Sequence, residues 1–97
     1  MADGYEPGIP DARDLEIVAA LEARDAVLTE VRIIDGPTYR VFNIAWGYDA
    51  GESWAHVTTN ISPFVEGEGI DFFSTSEVDT VRAPESDQVL VPPASTM

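Results

Sequence analysis

Between residues 27 and 61 the chain reads VLTEVRII-DGPT-YRVFNIAWGY-DAG-ESWAHVTTNI, three β-rich runs parted by two turn signals. Asp35-Gly36-Pro37 closes the first connection and Asp49-Ala50-Gly51 the second. Within each run apolar side chains recur at a spacing of two, the period at which an extended chain sends neighbours to opposite faces. The stretch also holds both Trp, two of the three Tyr and the single His. It predicts a three-stranded antiparallel meander. A ribbon of that size needs cover, so the remaining chain is expected to pack on it or extend it.

In the first run, 27–34, Val27, Thr29, Val31 and Ile33 share the expected core face. In the second, 39–48, Phe42, Ile44, Trp46 and Tyr48 share one side, and Tyr39, Val41, Asn43, Ala45 and Gly47 the other. Apolar residues on both faces predict a central strand, or one bent across a barrel. In the third, 52–61, Ala55, Val57, Thr59 and Ile61 are expected inward, with Trp54, His56, Thr58 and Asn60 opposite.

Residues 1–10 hold two Gly and two Pro and read as a flexible arm. Asp11 can cap a helix over 12–24, and Asp14 adds favourable charge to its first turn. Ala12, Leu15, Val18, Ala19 and Leu21 form its apolar stripe, with Ile17 off it. Beyond the meander, 62–69 reads as a loop, 70–75 and 78–82 as short strands, and 88–91 as a closing edge strand that Pro92-Pro93 ends. The expected core joins Phe42, Ile44, Trp46, Val57 and Ile61 to Leu15, Val18 and Leu21. Ninety-seven residues suffice for one core, so 11–91 is expected to be a single domain with a flexible tail at 92–97.

The predicted fold class is α+β, mainly β. An N-terminal helix packs on a strongly curved antiparallel sheet, or on a small, partly open barrel of about five strands. Over 11–91 this order resembles the layout of SH3-like and Sm-like small barrels. The resemblance is architectural, carries no family motif and implies no functional residue.

Charge narrows the function. Eighteen acidic residues face five basic ones, a net −13, and every basic residue is Arg. Such a surface repels phosphate backbones and anionic bilayers, so neither direct nucleic-acid binding nor membrane association is expected. Three causes of the acidity compete: solvation in a salt-rich cytoplasm, codon bias toward Arg, and docking of a basic partner. There is no Cys, hence no disulfide and no thiolate metal site. No apolar run approaches the about 20 residues of a membrane span, and the N-terminus has no apolar leader, so a cytoplasmic location is expected.

One His among scattered acids is too few ligands for zinc, and 66–71 lacks the spacing of a calcium loop. Gly67 and Gly69 precede no Lys and no helix, so no phosphate cradle is present and no cofactor is expected. A Ser53–His56–Asp49 triad fails on parity, because residues 53 and 56 face opposite sides of a strand. What remains is Trp54, His56, Thr58 and Asn60 on one face, with Phe64 beside Glu66 and Glu68 in the following loop. Aromatic anchors with an acidic rim have the composition of a contact site. The expected function is a protein-interaction or regulatory module, or a minor subunit of a larger complex. It would take a protein partner, or a second copy through edge strands. The alternative is a small-ligand site or minor enzyme centred on His56.

Self-repulsion at −13 is uncompensated in dilute buffer. The melting temperature should therefore rise as NaCl goes from low to molar concentration, through screening and through salting-out of apolar surface. A calorimetric melt that stays flat or falls over that range removes solvation as the cause of the acidity.

Overall fold

The computed structural model describes residues 10–94. Most of the expected arm, at 1–9, and the end of the expected tail, at 95–97, lie outside the described residues. The first element is a helix, α1 (Ala12–Ala23), started as expected by Asp11, whose Oδ1 accepts from the Arg13 amide at 2.8 Å. Seven strands follow: β1 (Thr29–Ile33), β2 (Thr38–Val41), β3 (Ile44–Gly47), β4 (His56–Thr59), β5 (Phe72–Ser74), β6 (Val78–Ala83) and β7 (Gln88–Val91). A 3-10 turn, Thr75–Glu77, separates β5 from β6.

The expected hairpins form, but they belong to two sheets. One has the order β2-β1-β6-β7 and the other β3-β4-β5, both antiparallel, and they do not close into a barrel. The single strand expected over 39–48 is the point of departure. It breaks at Phe42-Asn43, so β2 and β3 lie in different sheets. At the break the Phe42 amide donates to the Asn60 side chain at 2.8 Å, and its carbonyl accepts from the Ala26 amide at 2.7 Å. Ladder bonds are replaced by bonds to remote residues, and the chain turns from one sheet into the other. The β1–β2 turn is tight: Gly36 N donates to Ile33 O at 3.0 Å, and a Cβ at Gly36 would stand 3.0 Å from Ile33 Cγ2.

The core lies between the sheets and under α1. Ile17, Leu21, Val31, Val41, Val57, Phe73, Val78, Val81 and Val91 form one buried cluster. Tyr39 of β2 stacks on Phe73 of β5 with ring centroids 5.9 Å apart, a direct contact between the sheets. Val18, Leu21 and Val57 are buried as expected, but Leu15, Trp46 and Ile61 are not. Trp46 is 41% exposed on edge strand β3, where its Nε1 donates to Glu22 Oε2 at 2.9 Å. Phe42 and Ile44 are half-buried.

The rotation of α1 accounts for Leu15. Its inward face carries Asp14, Ile17, Val18 and Leu21, so an acid takes a position that the apolar stripe alone would not assign to it. Asp14 is fully buried yet satisfied. Oδ1 accepts from the Ala55 amide at 2.8 Å and from the Thr75 hydroxyl, and Oδ2 accepts from the Tyr48 hydroxyl. The neighbouring Arg13 reaches the other sheet, donating to the carbonyls of Val78, Asp79 and Pro92. Among the described residues, no helix is long and apolar enough to cross a membrane.

The bond to Asp14, with burial and the Asp14 charge, pushes the Tyr48 phenol up to about 12 from its ordinary 10.0. A phenol pKa raised by folding stabilises the protein below the ordinary value and loses that contribution as pH climbs through 10.0 to about 12. Absorbance titration should show a phenol step near 12 that Tyr48→Phe removes. Asp14→Ala should cost on the order of 3–5 kcal/mol in chemical denaturation, since three donors lose a charged acceptor, and Tyr48→Phe only about 1–2 kcal/mol.

Candidate functional site

Burial alternates along β4: Val57 and Thr59 point into the core, His56 lies exposed and Thr58 half-buried on the outer face. Register extends that face across the sheet, setting Gly47 and Ser74 level with His56, and Ala45 and Phe72 level with Thr58. The floor is therefore built of small side chains, and nothing stands within 4 Å of where a Gly47 Cβ would lie. Phe72 projects from it. Phe72 is 72% exposed, whereas its neighbour Phe73 is 5% exposed. His56, Thr58, Phe72, Ser74 and Glu77 border a shallow depression of about 320 Å³.

Acids edge this face. His56 Nε2 lies 3.1 Å from Asp49 Oδ2 and 3.5 Å from Glu52 Oε1, both on the β3–β4 connection. That connection is held by the Glu52 amide on Asp49 O at 3.0 Å, with Gly51 at φ +78 supplying a left-handed residue. On the far side, Glu77 Oε1 accepts from the Ser74 amide at 2.9 Å while the Ser74 hydroxyl accepts from Ser76 N, a capping box on the 3-10 turn. The Ser74 hydroxyl is also bonded to that of Ser76, so it is committed to local structure although it lies across the ladder from His56. Among the described residues, no three His, Asp or Glu stand where they could hold a metal ion.

No family model, no curated protein and no solved structure matches this chain. The site rests on its own geometry.

The residues expected in one binding surface fall into separate places. His56 and Thr58 lie on the outer face, and Trp54 is half-buried in the connection before β4. Asn60 is buried at the other end of the strand in a left-handed conformation, φ +63. Its Oδ1 accepts from Phe42 N, and its Nδ2 donates to Arg40 O at 3.0 Å and Gly69 O at 2.7 Å. Buried Asn43 answers it, bonding Ser62 N at 3.1 Å and Pro63 O at 2.8 Å. The two amides are the bracket of the corner, and Asn60 offers nothing to a partner.

Phe64, 65% exposed, forms a bridge with Ile61 across a cis Ser62–Pro63 bond, and Glu66 is exposed near it. Glu68 is taken by Arg40 through a two-pronged pair at 3.0 and 3.3 Å, which raises the Arg40 pKa. The loop thus lies past the end of β4 opposite to His56. Phe72, Asp49, Glu52 and Glu77 complete the face without having been expected in it. A signal for Phe72 was present: two consecutive Phe in an extended segment cannot both face one core.

Phe73→Ala should cost about 3–5 kcal/mol in denaturant melts and Phe72→Ala less than about 1 kcal/mol. Asn60→Ala should cost about 2–4 kcal/mol by freeing three backbone groups at the corner. Equal losses at Phe72 and Phe73 would refute the register of β5.

Proposed function

We propose that the protein is an interaction module that docks a basic segment of a partner protein on the outer face of the three-stranded sheet. Phe72 carries the reading. A large aromatic ring set on a floor of Ala45, Gly47, Thr58 and Ser74 is left to solvent, although the core takes the Phe beside it. Exposed aromatics bounded by charge have the composition of interface anchors.

The sign of the partner follows from the rim. Asp49, Glu52 and Glu77 surround the face, and His56 is the cation-forming group among them. A basic segment gains attraction there, while a phosphate backbone is repelled. The open form of the depression and the commitment of the Ser74 hydroxyl favour binding over catalysis at His56. We also propose that the two sheets represent an opened SH3-like or Sm-like layout, supported by the chain passing from β2 to β3 through a two-residue corner.

Affinity capture from the native cell at native salt tests the function. A partner retained by the wild type and by Phe64→Ala, but lost with Phe72→Ala, is the expected result. Loss with Phe64→Ala and retention with Phe72→Ala would move the docking surface to the 62–69 loop.

A further inference from the structure

We infer that the partner segment docks as an extended basic strand added to the outer edge of β5, turning the three-stranded sheet into a four-stranded one. The inference rests on the reading of this face as the docking surface and specifies how the partner sits there.

The two sheets have four outer edges, and at three of them other groups stand on the strand or beside its end. At β2 the Asn60 amide occupies Phe42 N and Arg40 O. At β7 the chain runs into Pro92-Pro93, which carry no N–H, and Arg13 takes the Pro92 carbonyl at 2.7 Å. At β3 the end of α1 lies alongside, with Trp46 bonded to Glu22, and Ile44 lining a cleft with Leu21, Glu22 and Asp25. At β5 no strand stands on the outer side among the described residues.

The direction of the free groups follows from alternation in an antiparallel ladder. Thr59 N donates to Asp71 O at 2.9 Å, and Thr75 N donates to Ala55 O at 2.9 Å, so residues 71 and 75 face β4. Phe73 faces β4 by the same period, and Phe72 and Ser74 turn their backbone groups outward. Glu77 takes the Ser74 amide. The edge therefore presents the amide and carbonyl of Phe72 and the carbonyl of Ser74.

An added strand would set its outward side chains level with Phe72 and Ser74, beside an apolar ring and within the acidic rim. Ile70, also exposed, lies two residues before Phe72, the spacing that puts both on one side of an extended chain. Charge selects the occupant. A second copy brings another −13 to the same edge and is repelled, whereas a strand carrying Arg or Lys with β-branched residues is attracted.

The probe is a short peptide of alternating Arg and Val, with a control whose backbone nitrogens are all methylated. NMR on the full chain is expected to show the free peptide shifting Phe72, Ser74 and His56, and slowing exchange of the Phe72 amide about tenfold or more. The methylated control should bind about tenfold or more weakly, the scale of one or two lost backbone hydrogen bonds. Equal binding of both peptides at Phe72 and His56 overturns strand addition and leaves the docking face standing. No shift at Phe72 or His56 with either peptide overturns both. A peptide-free dimer in sedimentation, abolished by Phe72→Ala, overturns the choice of a basic occupant.

Discussion

The buried carboxylate of Asp14 is the contact on which the arrangement of the molecule depends. A carboxylate out of water carries a large desolvation cost, and among the described residues this one forms no salt bridge. Three donors replace the water: the Ala55 amide at the entry to β4, the Thr75 hydroxyl after β5 and the Tyr48 hydroxyl after β3. All three belong to the three-stranded sheet or its connections. One residue earlier, Arg13 binds carbonyls of Val78 and Asp79 on β6 and Pro92 after β7. The first turn of α1 therefore ties one sheet through an acid and the other through a base, on two adjacent side chains.

The second constraint is the corner. Asn43 and Asn60 exchange no side-chain bond with each other, but the Asn60 backbone N–H donates to the Asn43 carbonyl at 3.0 Å, and both side chains are spent on backbone groups. That satisfies the groups a strand loses when it leaves its sheet. The consequence for function is indirect. With the sheets opened at the corner and α1 packed toward β6, β7 and the 3-10 turn, no element among the described residues covers the outer face of β3-β4-β5. Among the described residues α1 does not shield Phe72, which stays 72% exposed.

What could be read from residues was local. The Asp11 cap, the turns at Asp35-Gly36 and Asp49-Ala50-Gly51, and the last strand at 88–91 follow from chemistry within a few positions, and each stands as expected. What could not be read was settled at a distance. Asp14 looks like a surface acid until donors 41 and 61 residues away are placed on it, and only then does Leu15 turn outward. The run at 39–48 carries apolar residues on both faces, and its break at Phe42-Asn43 is held by a side chain 18 residues further on. Within the candidate site, alternation assigned His56 and Thr58 correctly to the outer face. It failed at Asn60 because the strand had ended at Thr59, and a left-handed residue does not continue the period.

The disposition of the arginines gives the acidity a direction. Arg13 and Arg24 are bound to backbone groups, and Arg24 also pairs with Glu85, whose carboxyl it holds below its usual value. Arg32, Arg40 and Arg82 all lie on the outer face of the four-stranded sheet or its rim, against Asp79, Glu68, Glu30 and Asp87. Every guanidinium is thus matched with acids or carbonyls away from Phe72. The acids around Phe72 have only His56 for company. The negative field is therefore uneven: it is locally compensated over one sheet and uncompensated over the other. Exposed pairs of this kind add little stability. They do decide where the excess charge acts: it is concentrated over the three-stranded face, which is where the proposed basic partner would be drawn.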